Sequence, residues 1–254
     1  MEFKSKQDAD ITEKIYHDCP LLHDRLENSW NISLTQDFNL TSDSHLFNMA
    51  GKGIRLYEGK AINIFDHQYS EIAIWIEEIH VRQKFFYQKW RKILERGGKP
   101  NKTDYEYNRI AFRRIAASTN ERTFIATVLP SKTVCPHTTF TIQRIIPDID
   151  GNPIILMNED NCLYLASLLN SFVIDFIIRR KITTGLDMHF VYSLPIPRIR
   201  NDFNNAKFYL PIIRNALRLV CTTAEFESLW NDVYSLITFS DCNYSSYRYG
   251  PEHE

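Results

Sequence analysis

The sequence predicts an α+β protein, with a mixed or antiparallel sheet packed against helices and a C-terminal helical segment. Two observations carry that reading. Short runs alternating apolar and polar residues, the period of a half-buried strand, recur between Trp30 and Ile146. Longer runs with apolar residues every three or four positions lie among and after them.

Taken in order, residues 8–27 place Ile11, Ile15, Leu22 and Leu26 among acidic neighbours, which predicts a short helix and a turn at Pro20. Trp30-Asn-Ile-Ser-Leu, Ile54-Arg-Leu-Tyr and Asn63-Ile-Phe alternate as strands, the latter two paired around Gly59. From Glu71 to Leu94 the residues Ile72, Trp75, Ile76, Ile79, Phe86, Trp90 and Ile93 recur at helical spacing, and Gly97, Gly98 and Pro100 end the run. Ile110–Ala116 and Thr123–Leu129 read as strands separated by Ser118-Thr-Asn-Glu-Arg, and Phe140–Ile146 as another before the Asp150-Gly-Asn turn. Residues 159–181 read as one helix whose last cations, Arg179, Arg180 and Lys181, suit the negative end of the helix dipole. Thr183–Asp187 is a loop, Phe190-Val-Tyr a short strand, and Leu194-Pro-Ile-Pro closes the unit. Residues 204–238 are helical, with Leu210, Ile213, Leu217, Val220, Phe226, Leu229, Trp230 and Val233 as the buried side, and the tail after Ser240 is polar, aromatic and loose.

Bulk properties narrow the function classes. A chain of 254 residues that is 44% hydrophobic and 24% charged buries an adequate core without disulfides or structural metal. Cys19, Cys135, Cys162, Cys221 and Cys242 form no CxxC pair and are odd in number, and the polar N-terminus has no apolar signal core, so the expected compartment is the cytoplasm. The most apolar stretch, Cys162–Ile178, is interrupted by Asn170, Ser171 and Asp175 and is shorter than a bilayer span, so no membrane is expected as partner. The net charge of −1 offers no global attraction for nucleic acid, and the first fifty residues are acidic, with four Lys/Arg against nine Asp/Glu. Between Val81 and Arg114, however, eleven Lys/Arg stand against three Asp/Glu. Such a block is commonly a solvated helix face; if it binds nucleic acid, its cations must share one concave face.

The sequence contains no GxSxG, HExxH, P-loop or GxGxxG, no Asn/Asp-Pro-Pro-aromatic tetrapeptide and no evident PD-(D/E)xK core. No catalytic or metal residue is therefore assigned. Cys135 and His137 lack a second ligand pair, and Asp37, Asp43, Glu77 and Glu78 read as surface carboxylates.

Several strings in order carry a resemblance. Leu40-Thr-Ser-Asp-Ser-His-Leu-Phe, then Leu56-Tyr-Glu-Gly-Lys and Phe65-Asp-His, are followed by Arg109-Ile-Ala-Phe-Arg-Arg-Ile-Ala with Ser118-Thr-Asn-Glu-Arg-Thr. Leu168-Leu-Asn-Ser-Phe-Val-Ile-Asp-Phe and Leu194-Pro-Ile-Pro complete the set. Across about residues 10–235 the chain resembles the target-recognition region, with a TaqI-like C-terminal specificity domain, of type IIG-like restriction–modification and phage-defence adenine-N6 DNA methyltransferases. The resemblance implies that residues 1–50 connect to a catalytic domain outside this chain, that residues 51–200 form the target-recognition core, and that residues 201–254 form a C-terminal helical segment and tail. It implies double-stranded DNA and a methyltransferase domain, in cis or in trans, as partners. No cofactor is expected in this chain; S-adenosylmethionine belongs to the missing catalytic domain. A separate protein-interaction subunit that docks a methyltransferase or nuclease is the alternative.

On the DNA reading, Lys60 of the Tyr-Glu-Gly-Lys turn, Arg82, Lys84, Lys89 and Arg91 are expected phosphate ligands. Arg109, Arg113, Arg114 and Arg122 are expected at phosphate or guanine edges. Arg113 and Arg114 are adjacent, so on a strand they point to opposite faces and one is left for an ion pair with Glu58 or Asp66. Thr184 and His189 flank Gly185 in a second candidate surface, whose plainer meaning is a helix C-cap and turn.

Overall fold

The computed structural model describes Phe3 and residues 5–26, 29–85, 102–148, 150, 152–199 and 205–248. Its first sheet joins β1 (Leu34–Thr35), β8 (Thr139–Ile142), β5 (Arg109–Arg113) and β6 (Ala126–Leu129), all antiparallel. A second sheet joins β2 (Phe47–Asn48), β4 (Trp75–Ile76), β3 (Ile54–Leu56) and β7 (Thr133–Val134), with β3 and β7 parallel. β9 (Ile145–Pro147) and β10 (Pro153–Ile155) form a hairpin. The α+β expectation, with mixed sheets and C-terminal helices, is met.

The period of two explains how the first sheet is buried on both sides. On β5, Ile110 and Phe112 enter the large core with Phe124, Val128 and Phe140, while Ala111 joins Tyr57, Ile62, Leu129 and Cys135 on the opposite face. The large core also receives Leu22, Trp30 and the apolar sides of the later helices, out to Ile237. Those helices are α3 (Glu159–Leu169), α4 (Phe172–Arg179), α5 (Met188–Tyr192), α6 (Ala206–Val220) and α7 (Glu227–Arg248), after α1 (Lys6–Asp18) and α2 (Glu78–Phe85) earlier in the chain. Ser5 caps α1 by accepting the Asp8 N–H at 3.1 Å.

Several elements differ from expectation. The helical stripe from Glu71 begins late: Trp75 and Ile76 are extended and pair with β2 and β3, and the helix starts only at Glu78. Phe86, Trp90, Ile93, Gly97, Gly98 and Pro100 lie outside the described residues. Asn63–Phe65 is a turn closed by an Asn63–Asp66 bridge, with Phe65 at φ 57°, not a strand. Thr123 and Phe124 stay out of β6 because both backbone N–H groups donate to Asp175 Oδ1, at 2.7 and 2.9 Å. Phe190-Val-Tyr is helical within α5. The C-terminal stripe divides at Thr222–Phe226 into α6 and α7, and α7 runs to Arg248 where a loose tail was expected.

The helix expected over residues 159–181 is broken into α3 and α4, bent by 56°. Asn170 accounts for the break. Its side-chain Nδ2–H donates to the Ala126 carbonyl at 2.9 Å, and its Oδ1 accepts the Ala126 N–H at 3.0 Å. β6 is a rim strand, so this amide satisfies backbone groups that a neighbouring strand would otherwise take. Ser171 then restarts the helix, its Oγ accepting the Ile174 N–H at 3.3 Å. Among the described residues no single helix is long and apolar enough to cross a membrane, and Leu163, Leu165, Leu169, Ile174, Ile177 and Ile178 pack into the core.

Between the sheets lies a buried polar network. Arg109, fully buried, donates to Asp37 Oδ1 and Oδ2 at 3.1 and 2.8 Å, to Asp104 Oδ2 at 3.3 Å, and to the Thr133 carbonyl at 2.8 Å. Asp37 also accepts the Cys135 N–H at 3.0 Å, and Asp104 Oδ1 accepts the N–H groups of Arg144 and Ile145 at 2.8 and 3.1 Å. Arg144 continues the chain to the carbonyls of Asn108 and Met157 and to Glu159. Two facing carboxylates outweigh the cost of burial and hold the Arg109 pKa above its ordinary value; burial itself acts in the opposite sense.

Two predictions follow from these buried groups. Arg109→Met leaves Asp37 and Asp104 buried without a cation, so urea unfolding should show a loss of about 3–5 kcal/mol; an unchanged midpoint would remove the network from its central place. Asp175 is buried, which raises its pKa, but hydrogen bonds from Arg179 and from the Phe124 and Thr123 amides prevail and hold it below the usual carboxylate range. Its folded value being depressed, the stability it contributes is present above the unfolded value of about 3.9. That contribution is lost as pH falls through the folded value. Asp175→Asn should flatten the acid limb of a stability–pH profile, and a limb identical to the parent's would contradict this.

Candidate nucleic-acid interface

The Tyr-Glu-Gly-Lys segment leaves β3 and enters a 3-10 turn at Gly59–Ala61. Tyr57 N–H donates to the Val134 carbonyl at 2.8 Å, which hangs the turn from the parallel partner strand β7. Gly59 lies so close to the start of β8 that a Cβ there would sit 3.1 Å from the Thr138 carbonyl oxygen and 3.7 Å from Arg113 Cγ. The glycine therefore allows the turn to approach the strand, and the two segments enclose a cavity of about 300 Å³ lined by Glu58, Gly59, Lys60, Arg113, Ile115 and Thr138.

Arg113 ends β5 at this cavity. Its Nε and Nη2 both donate to the Ile62 carbonyl, and its guanidinium lies 5.5 Å from the Tyr69 ring centre. Among the described residues no carboxylate pairs with it, and burial pushes its pKa below the ordinary arginine range. The expected ion pair with Glu58 or Asp66 is not formed: Glu58 pairs at 2.9 Å with Lys60, and Asp66 Oδ1 accepts the Gln68 N–H at 2.7 Å. Thr138 Oγ1 is buried and has no hydrogen-bond partner among the described residues.

Arg114 turns the other way. It reaches the His137 carbonyl and pairs with Asp187 at 3.4 Å, with its guanidinium 5.6 Å from the Phe140 ring centre. The glycine loop is adjacent: Gly185 bridges Ile115 in antiparallel fashion, and Leu186 N–H donates to the Arg114 carbonyl at 2.8 Å. Thr184 and His189 are exposed on and just beyond this loop. Strand pairing and the close approach at Gly59 thus bring Lys60 and Arg113 to one cavity, and the Ile115–Gly185 bridge sets the glycine loop and Arg114 beside it.

The other sequence candidates lie elsewhere. Arg109 is enclosed between the sheets and has no exposed surface, so the expectation that it meets DNA is corrected. Lys84 pairs with Asp43 and lies 4.6 Å from the Phe38 ring centre, so it too is committed internally. Arg82 is exposed on α2, and Arg122 sits at the α3–α4 break, donating to the Asn170 carbonyl and 4.7 Å from the Phe172 ring centre. Lys89 and Arg91 lie outside the described residues. Among the described residues the basic block of 81–114 therefore does not share one concave face, contrary to what its use as a single patch requires.

Some residues that shape the site carried no sequence signal. Thr138 and Ile115 have ordinary side chains, and only the meeting of β5, β8 and the Gly59 turn makes them cavity walls. Asp37, read as a surface carboxylate, is buried as the partner of Arg109, whereas Glu77 and Glu78 are exposed. Cys135 is buried and its thiol pKa is raised by that burial, while His137 Nδ1 accepts the Leu40 N–H at 3.3 Å, so both serve the fold. His67 of Phe-Asp-His is buried against the Phe226 ring, 3.7 Å from Glu225, and burial lowers its pKa.

No protein-family model matches the sequence, and no curated protein matches it. Among solved structures the fold is similar to the HsdS subunit from Thermoanaerobacter tengcongensis, with a TM-score of 0.38 and 11% sequence identity. The match covers 92% of this chain and 50% of that one, so the chain spans about half the length of the structure it matches.

Proposed function

We propose that the chain is the DNA target-recognition part of a bacterial adenine-N6 modification or restriction–modification system of type IIG-like character. Its catalytic partner is a methyltransferase domain, in cis or in trans, that binds S-adenosylmethionine. The supporting observation is the convergence of separate segments: the Tyr-Glu-Gly-Lys turn, Arg113 and Ile115 at the end of β5, and Thr138 before β8, far apart in sequence, line one open cavity, and the Gly185 loop bridges Ile115 at its wall.

Methylation of an adenine within a duplex requires the base to be rotated out of the stack, and the remaining duplex must be gripped while that happens. A recognition part supplies this grip. Lys60 and Arg113 provide cations at the cavity, Arg114 provides one beside the glycine loop, and Thr184 and His189 add polar groups on and just beyond that loop. Phosphate contacts set register, and groups reaching base edges select sequence. A net charge of −1 limits the affinity of this part alone, which makes the catalytic domain a second jaw of the same clamp.

Fluorescence anisotropy against duplex DNA over a salt series tests the proposal. Three phosphate contacts give a slope of roughly −3 in log affinity against log salt. Binding that ignores salt, or none at low ionic strength, would count against DNA and favour a subunit that only docks a methyltransferase or nuclease. With labelled S-adenosylmethionine the chain alone should transfer no methyl group to DNA, and turnover by the purified chain would overturn the non-catalytic assignment.

A further inference from the structure

We infer that the cavity between the Gly59 turn and the Arg113 end of β5 seats one phosphodiester group, with Arg113 and Thr138 as its ligands and Lys60 at its rim. The inference rests on the DNA reading above and names the chemical group that this cavity takes.

Charge is the first argument. The cavity wall holds Arg113, Lys60 and Glu58, and the Lys60–Glu58 pair at 2.9 Å is internally neutral. One positive charge remains, on a guanidinium that has no carboxylate partner among the described residues. A partly buried cation without a counter-charge is costly, and a phosphodiester carries the single negative charge that balances it. A guanine edge offers acceptors but no charge and leaves the imbalance in place.

Donor geometry is the second. A guanidinium has five N–H donors, and Arg113 commits two of them, one on Nε and one on Nη2, to the Ile62 carbonyl. That bond fixes the plane of the group and leaves both N–H groups of Nη1 and the second of Nη2. The end of the fork is the edge that meets two oxygens of one phosphate in parallel. Thr138 lines the same wall, and its Oγ1, buried and without a hydrogen-bond partner among the described residues, becomes a hydroxyl donor to the cavity on rotation about χ1. Gly59 adds no side chain at the point of closest approach, so the turn lies against β8 without filling the space.

The test uses the full chain, Arg113→Gln and Thr138→Val, each first checked for folding by near-ultraviolet circular dichroism. In duplex anisotropy Arg113→Gln should weaken all sequences alike and reduce the salt slope by about one. Thr138→Val should weaken binding with the slope unchanged. A slope unaltered by Arg113→Gln, or a loss confined to particular base sequences, overturns the inference while leaving the DNA reading intact. A second arm titrates dimethyl phosphate and, separately, inorganic phosphate, and follows the Arg113 Nε–H and Thr138 methyl resonances. Shifts with dimethyl phosphate that vanish in Arg113→Gln support the seat even if no duplex binds, in which case the DNA reading alone fails. Shifts with inorganic phosphate only, or with neither, overturn it. If Arg113→Gln does not fold, loss of the dimethyl phosphate response in Thr138→Val carries the same decision.

Discussion

The contact of Arg109 with Asp37 and Asp104 is the constraint on which the rest of this structure depends. Arg109 opens the central strand of the first sheet, Asp37 lies in the segment after β1, and Asp104 lies in the 3-10 turn before β5. By accepting the amides of Cys135, Arg144 and Ile145, the two acids tie the strands that follow to the same point. Arg109 also binds the carbonyl of Thr133, on the strand that pairs in parallel with β3. The second sheet is therefore locked to the first through side chains that also take up backbone amide and carbonyl groups.

The consequence reaches the cavity. β5 runs only from Arg109 to Arg113, so the residue that anchors the strand and the residue that faces the cavity stand at its two ends. β3 leads directly into the Gly59 turn, and its partner β7 is held by the Arg109 bond. The position of Lys60 relative to Arg113 is thus set by a network that neither residue touches. A site placed on paired strands is held more precisely than one on a free loop.

Alternation made the first sheet legible, since Ile110, Phe112 and Phe140 lie at the spacing a pleated strand requires. Residue type alone could not distinguish a buried arginine from an exposed one. Arg109 and Arg113 occur in one short basic string, yet the first is paired with two acids, Asp104 nearby and Asp37 far along the chain, while the second donates to a single carbonyl. Asp37 and Ile62 are brought in by tertiary pairing, and local pattern carries no information about them. The same holds for Trp75 and Ile76, whose helical spacing yields to pairing with β2 and β3, and for Asn170, whose apolar neighbours suggest an unbroken helix. The adjacency of Arg113 and Arg114 was informative in one respect: they diverge, toward the cavity and toward Asp187.

The amide of Asn170 also bears on what the first sheet does in company. A rim strand with free N–H and carbonyl groups is a template for a strand from another molecule. On β6 a side chain already occupies the Ala126 position of that template, and the opposite rim is the two-residue strand β1, too short to recruit a partner. These two features blunt the rims of the first sheet against pairing with another strand. Whatever this sheet meets is then met through side-chain surfaces, where chemistry selects the partner, and not through the indiscriminate adhesiveness of backbone.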